Sequence, residues 1–366
     1  MQLTRRQWIQ LGAAGLAIPL VPRTSFAQGK TPIRLHSNEN PYAPSLSARE
    51  AMRTAFDESN LYPAENYRTL ETLIAEREGL TPEHVVLGAG SSEVLRMTAM
   101  AYGLSGGELL TAYPTYEGLE TYAKTINTHV HRVPLTSDKL MDLPHMDRRT
   151  TQGIKLVFVC NPNNPTGTIC DKNELASFCD EVSRRCVVLV DEAYFELVTD
   201  PNYASVVPLV AEGHNIIVSR TFSKVYGLAG LRIGYALTRP DIAARLRNYR
   251  TANGINIIGL RAALAAYQDD AFVQESRTRI AESRVDITGK LRAWGHSCAD
   301  SHTNFVFFHL GRSIRPFQQA MAQRDIFVGR PFPPYLDWCR LSIGTPDEMA
   351  MFADVFQQVM SEPLSY

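Results

Sequence analysis

A chain of 366 residues exceeds the usual single-domain size, so at least two packing units are expected. Hydrophobic residues at 45% and charged residues at 20% exclude a disordered or fibrous chain, and 37 basic against 38 acidic side chains leave no electrostatic footprint for nucleic acid. Six cysteines, none in C-x-x-C spacing, argue against a disulfide-built fold and a zinc ribbon.

Thr4-Arg5-Arg6-Gln7-Trp8-Ile9 places paired arginines ahead of an apolar run from Leu11 to Val21, and Ser25-Phe26-Ala27 follows as a small-x-small cleavage site. Residues 1–27 read as a twin-arginine signal peptide, with the periplasm as the expected location of a chain exported already folded. The apolar run is shorter than the roughly 20 residues of a membrane span, so no stable membrane association is expected after leader removal. An amphipathic surface helix is the alternative.

Beyond the leader, short apolar runs alternate with helix-period stretches. Strands are predicted at Val85–Leu87, Leu109–Ala112, Leu156–Cys160, Val187–Val190 and Ile216–Ser219, β-branched and non-alternating as in a parallel sheet covered on both faces. Helices are predicted over Ser92–Tyr102, Tyr116–Lys124 and Lys172–Arg185, and a long helical stretch over Asp241–Arg292. Phe305–Phe308 and Cys339–Ile343 read as strands of a smaller α+β unit, and Pro331–Pro334 as a shaped loop. The expected division is a large α/β domain over 49–289 and a small domain from 28–48 and 290–366.

Four segments sit where a strand ends, the place where ligands bind in open α/β sheets. Gly88-Ala89-Gly90-Ser91-Ser92-Glu93 opens a helix whose free N–H groups suit a phosphate, although a tight structural turn reads equally well. Glu93 stands where a dinucleotide fingerprint has its third glycine. Asn161-Pro162-Asn163-Asn164-Pro165-Thr166-Gly167 is a rigid non-helical loop able to hold the Asn164 amide at a fixed angle, with an ordinary turn as the alternative. Asp191-Glu192-Ala193-Tyr194 puts a carboxylate at the edge of a dry core, where it needs a cationic partner, unless Asp191 is a helix N-cap. In Arg220-Thr221-Phe222-Ser223-Lys224-Val225-Tyr226-Gly227-Leu228-Ala229-Gly230-Leu231-Arg232, a lysine among small and apolar residues could carry a depressed pKa and attack an aldehyde, although a lysine read alone is more often a surface residue.

In this order the four segments resemble the fold-type I pyridoxal-phosphate-dependent aminotransferases, and among them the histidinol-phosphate aminotransferase-like branch. The likeness runs from Leu35-His36-Ser37-Asn38-Glu39-Asn40-Pro41-Tyr42 to Arg340-Leu341-Ser342-Ile343-Gly344-Thr345. It implies an α/β fold, with a mostly parallel central sheet flanked by helices in the large domain and a smaller α+β domain. It implies a ping-pong aminotransferase working between an amino acid, or a histidinol-phosphate-like amine, and a 2-oxo acid such as 2-oxoglutarate.

The resemblance assigns Lys224 to the Schiff base with pyridoxal phosphate, Asp191 to its pyridine nitrogen, and Asn164 and Tyr194 to its phenolate oxygen. Tyr116 is implied to stack on the ring, and Ser91, Ser92, Ser223 and Arg232 to hold the phosphate. Tyr62 resembles the tyrosine that reaches the phosphate of a neighbouring subunit, so a homodimer with shared sites is expected. Arg340, assisted by Arg330, is implied to clamp the acidic end of the substrate, with Asn40 and Tyr42 also at the substrate.

Two features depart from the histidinol-phosphate pattern. Pro331-Phe332-Pro333-Pro334-Tyr335-Leu336-Asp337-Trp338 is a bulky insert between the two arginines, and Ala43 replaces the glycine usual after Asn-Pro-Tyr. Phe332, Tyr335 and Trp338 read either as an aromatic substrate wall or as small-domain packing. His129 and His131 share a strand face but have no third ligand nearby in sequence, so no metal site is expected. A decarboxylase of the same fold, resembling threonine-phosphate decarboxylase, and a non-catalytic cofactor-binding module remain the alternative functions. Cys160, Cys170, Cys179 and Cys186 crowd the cofactor domain and are expected to stay thiols if the chain folds before export.

Overall fold

The computed structural model describes residues 32–362, so the proposed leader lies outside the described residues. The strands are β1 (Ile33–Leu35), β2 (Val85–Gly88), β3 (Glu108–Tyr113), β4 (Val130–Pro134), β5 (Ile154–Cys160), β6 (Val187–Asp191), β7 (Ile216–Thr221), β8 (Gly234–Thr238), β9 (Phe305–His309), β10 (Ile326–Val328) and β11 (Trp338–Ser342). Seven of them form one sheet in the order β2-β8-β7-β6-β5-β3-β4. β8 runs antiparallel to both β2 and β7, and the other neighbours are parallel. The mostly parallel sheet expected from the apolar runs is therefore present. The inner strands β6 and β7 are buried along their whole length, which is why they open with unbroken runs of Val, Ile and Leu instead of alternating with polar residues.

Two strands of this sheet escaped the sequence reading, as did the short β1 and β10. β4 is one edge of the sheet, where only Val133 is buried and His131 and Arg132 interrupt the apolar residues, so no apolar run marks it. There His131 Nε2 lies 2.9 Å from Glu108 Oε2. Among the described residues no group of three or more His, Cys, Asp or Glu could hold a metal ion. β8 begins at Gly234 inside the glycine-rich segment after Lys224, and turn signals hid it.

The ends of the described chain form two small sheets: β1 pairs in parallel with β10, and β11 pairs antiparallel with β9. The long helical stretch resolves into three helices, Pro240–Arg247, Ile257–Tyr267 and Asp270–Ala293. Asn256 and Asp269 cap the second and third by accepting from the Gly259 and Phe272 N–H groups. Ala43 has φ +58°, in the left-handed region where a glycine is at ease and an alanine is not. All six cysteines are free thiols, five of them buried. Burial pushes the Cys186 thiol up to about 11 and Cys170 to about 12, so neither is a ready nucleophile. Among the described residues, no helix is long and apolar enough to cross a membrane.

Candidate active site

β2, β3, β5, β6 and β7 end on the same edge of the sheet, and the loops that follow them surround a cavity of about 600 Å³. Lys224, Asp191, Tyr194, Asn164, Tyr116, Ser91, Ser92, Ser223 and Arg232 all line it, as do Arg340 and Arg330. Four segments far apart in sequence thus meet because parallel strands deliver their C-terminal ends to one place.

At the floor, Asp191 closes β6, opposite Cys160 of β5 and Ser219 of β7. It is not a helix cap: the short helical turn that follows, Phe195–Leu197, starts after Tyr194. Asp191 is 2% exposed, and its Oδ1 has no hydrogen-bond partner. Burial raises its carboxyl to about 7, against the Ser219 hydroxyl and the Lys224 charge. Glu192 is the carboxylate that took a cationic partner, accepting from Arg220 Nε at 3.0 Å in a fully buried pair. Ser205 Oγ and the Val206 N–H complete its hydrogen bonds.

Lys224 Nζ donates to Asn38 O at 3.1 Å and lies 5.3 Å from the centre of the Tyr194 ring. Burial and the Arg340 charge lower it to about 8, although Asp191 and Glu39 oppose them. An amine at that value is partly neutral near physiological pH, as a nucleophile or base requires.

Asn38 is the residue that sequence reasoning missed. It is 1% exposed with φ +54°, a conformation asparagine tolerates better than most side chains. Its Nδ2 donates to Tyr194 Oη at 3.0 Å, and its Oδ1 accepts from Ser342 Oγ at 2.9 Å. Its carbonyl accepts from both Lys224 Nζ and Asn304 Nδ2. Since Tyr194 Oη accepts from Asn38, its own proton is left to donate into the cavity. A buried asparagine beside the motif was the available signal, but Asn40 was chosen instead.

Asn40 and Tyr42 require a correction, because neither lines the cavity. Asn40 Nδ2 donates to Val225 O at 2.7 Å and to Ser276 Oγ, and its Oδ1 accepts from the Tyr42 N–H. This clamps the loop that carries Lys224. The Tyr42 ring lies 3.8 Å from the Arg279 guanidinium carbon. Asn38 and Glu39 stand at the cavity instead.

In the Asn-Pro loop, Asn163 is held by Thr115, Thr166 and Pro114, so the loop satisfies itself internally. Asn164 Oδ1 accepts from Arg340 Nη1 at 2.7 Å, and what the amide still offers is its NH2 donors. Arg340 also donates to His36 O, while its Nε is buried without a partner. Burial depresses its guanidinium to about 10, which leaves it charged at neutral pH.

The glycine-rich segment builds an anion cradle. Arg232 adopts φ +61°, uncommon for an arginine, and its guanidinium lies against Gly90. A Cβ on Gly90 would strike Arg232 Nη2, and one on Gly234 would strike the Ser91 nitrogen. Both glycines therefore permit a close approach that no other residue allows. Arg232 contacts Ser223 Oγ at 3.4 Å and Ser92 Oγ at 3.5 Å, both long, while Ser223 Oγ also accepts from Thr221 Oγ1 at 2.9 Å and keeps its own proton to donate. Glu93 explains why the dinucleotide pattern fails here: its carboxylate accepts from the Ala89 and Thr251 N–H groups and from Arg96, stapling the loop.

The insert divides its aromatic residues. Phe332 lines the cavity, whereas Tyr335 and Trp338 pack on Phe307 with ring centres 6.0 and 5.0 Å away. Wall and packing are thus both present. Tyr62 is absent from the cavity and 83% exposed.

Comparison with known proteins decides the family. The profile of aminotransferase class I and II matches residues 30–356. The chain belongs to this family. A histidinol-phosphate aminotransferase of Moorella thermoacetica is 35% identical over 335 residues, covering 91% of this chain and 86% of the relative. An aromatic amino acid aminotransferase of Streptomyces coelicolor is 33% identical, covering 93% of this chain and 94% of the relative. The crystal structure of histidinol-phosphate aminotransferase from Sinorhizobium meliloti in complex with pyridoxal 5′-phosphate matches with a TM-score of 0.85 at 26% identity, over 95% of this chain and 99% of that one. The chain is accordingly a pyridoxal-phosphate-dependent aminotransferase of fold type I.

The residues of this aminotransferase fit that cofactor. The orphaned Asp191 Oδ1 suits a protonated ring nitrogen, and the Tyr194 hydroxyl and Asn164 amide retain donors for a phenolic oxygen. The Ser92, Ser223 and Arg232 cradle has room for a dianion.

Proposed function

We propose that this aminotransferase moves an amino group from an amino acid to a 2-oxo acid such as 2-oxoglutarate, with Lys224 as its catalytic base. The observation that carries this reading is the unpartnered Asp191 Oδ1 facing the same cavity as Lys224, at about 8, and Arg340. Asp191 would hold the cofactor's ring nitrogen, Asn164 and Tyr194 its phenolic oxygen, and Tyr116 one ring face. Ser91, Ser92, Ser223 and Arg232 would hold its phosphate. When bound, the cofactor supplies the electron sink that makes an amino acid Cα proton removable. Lys224 Nζ, as a free amine, takes that proton, and the Asn38 carbonyl keeps the amine oriented. Arg340 receives the substrate carboxylate, its charge strengthened by exclusion of water.

A half-reaction tests the reading. Amino acid added to the loaded enzyme should convert the cofactor's aldehyde absorbance to that of its amine form without releasing carbon dioxide. Carbon dioxide release without that conversion would establish the decarboxylase instead.

The proposed assembly is a homodimer in which Tyr62 reaches the partner's phosphate cradle. Tyr62 is exposed, as are the large apolar side chains of Leu46, Phe56 and Leu61, each of which a second copy would cover at low cost. Tyr62→Phe is expected to accelerate cofactor loss on dilution, followed by absorbance. Unchanged retention would argue against shared sites.

Export by the twin-arginine pathway to the periplasm is proposed from Arg5-Arg6 and the apolar run; the family match begins only at residue 30. Replacing both Arg5 and Arg6 by lysine should leave the full-length chain in the cytoplasmic fraction. Normal export of that variant would sink the proposal.

A further inference from the structure

The cavity holds two guanidinium groups on one aromatic ring. The Arg330 and Arg340 guanidinium carbons lie 4.3 and 5.0 Å from the centre of Phe332. Arg340 is bound by neutral oxygens only, those of Asn164 and His36. Arg330 is already paired: its Nη2 donates to Glu117 Oε2 at 2.6 Å, and its Nη1 to Pro331 O at 3.0 Å. Glu117 directly follows the cavity residue Tyr116 and stands at the start of the helix Gly118–Thr125, so the pair joins two elements across the cavity rim.

The remaining charges nearby cancel or are absent. Glu39 is bridged by Arg34 at 2.6 Å, and burial, followed by the Arg34 charge, lowers the His36 pKa, which keeps it neutral at physiological pH. With Glu117 in place the anion subsite therefore carries a single net positive charge, the match for one carboxylate. Without Glu117 it would carry two, the match for a phosphate monoester dianion.

We propose that Glu117 is a specificity-determining residue, neutralising Arg330 so that the site takes amino acids through their single α-carboxylate in preference to phosphate monoesters such as histidinol phosphate. Glu117 acts through Arg330 and touches no reacting atom. The inference rests on the reading that Arg340 receives the substrate's anionic group. Being half-exposed, the Glu117–Arg330 pair is worth little to stability. Its effect lies in discrimination between ligand charges.

The test compares single half-reactions of the cofactor-loaded wild type, Glu117→Gln and Glu117→Asp with phenylalanine and with histidinol phosphate. The Gln variant should raise the histidinol phosphate to phenylalanine specificity ratio by about 10-fold, a difference of about 1.4 kcal/mol. The change should appear in the apparent dissociation constants, not the limiting rates. The Asp variant should restore the wild-type ratio. A ratio that moves less than about 2-fold in the Gln variant would overturn the proposal, as would equal changes for both substrates. Arg340→Lys separates the two layers. If it binds phenylalanine as tightly as wild type, the carboxylate reading itself fails. If it loses phenylalanine while Glu117→Gln leaves the ratio unmoved, only the Glu117 proposal fails.

Discussion

Replacing Lys224 by alanine should lower transamination by a factor on the order of 10^4 or more, the upper range for a positioned proton-transfer group. The reason is local. Lys224 Nζ is fixed by the Asn38 carbonyl at 3.1 Å, and its lowered pKa of about 8 comes from burial and from Arg340. Among the residues that line the cavity there is no second lysine to substitute for it. Rapid-mixing measurement of the half-reaction checks the loss, and a small primary amine added to solution should recover a fraction of the rate. Full turnover in the variant would remove Lys224 from the mechanism.

Asp191→Asn should separate function from stability. Activity should fall by roughly 10^2 to 10^3 or more, as when one preorganised electrostatic partner is removed. The cofactor-free protein should respond in the opposite direction. Burial raises the folded-state carboxyl to about 7 from 3.8, so between those values the folded chain binds a proton that the unfolded chain has released. The stability this provides is complete below about pH 4 and is lost as the pH rises through 7. Cofactor-free Asp191→Asn should thus melt above wild type at pH 8, by up to on the order of 4 kcal/mol, and near wild type at pH 4. A variant less stable than wild type at pH 8 would mean that Ser219, Lys224 and the Ala193 N–H hold the Asp191 carboxylate more strongly than burial disfavours it.

Much of the site was legible because its chemistry sits in contiguous motifs. Lys224, Asp191, Asn164, Ser91, Ser92, Ser223 and Arg232 each belong to a short segment ending a strand, and all of them line one cavity. What stayed hidden depends on contacts between distant segments. Asn38 matters because its carbonyl meets Lys224 and its amide meets Tyr194, partners 186 and 156 residues away. Asn40, two positions along, looks no different in sequence, yet it turns away from the cavity to brace Val225 and Ser276. Glu93 was read as a lost glycine, although its carboxylate ties the loop to Thr251.

The sequence by itself determined the buried parallel strands, the four chemical segments and their order, and the charge balance that excluded a nucleic-acid footprint. Strand burial and loop chemistry are local properties, written in β-branched runs and in Gly, Asn and Pro at strand ends. Only the tertiary structure decided the antiparallel insertion of β8 between β2 and β7, which presses Gly234 against the Ser91 loop. It also decided that Asp191 Oδ1 stands without a hydrogen-bond partner while Glu192 has Arg220, and that Glu117 neutralises Arg330 beside an uncompensated Arg340. Charge compensation is a property of distances in space. The chain order that places Glu117 far from Arg330, 213 positions apart, carries no trace of it.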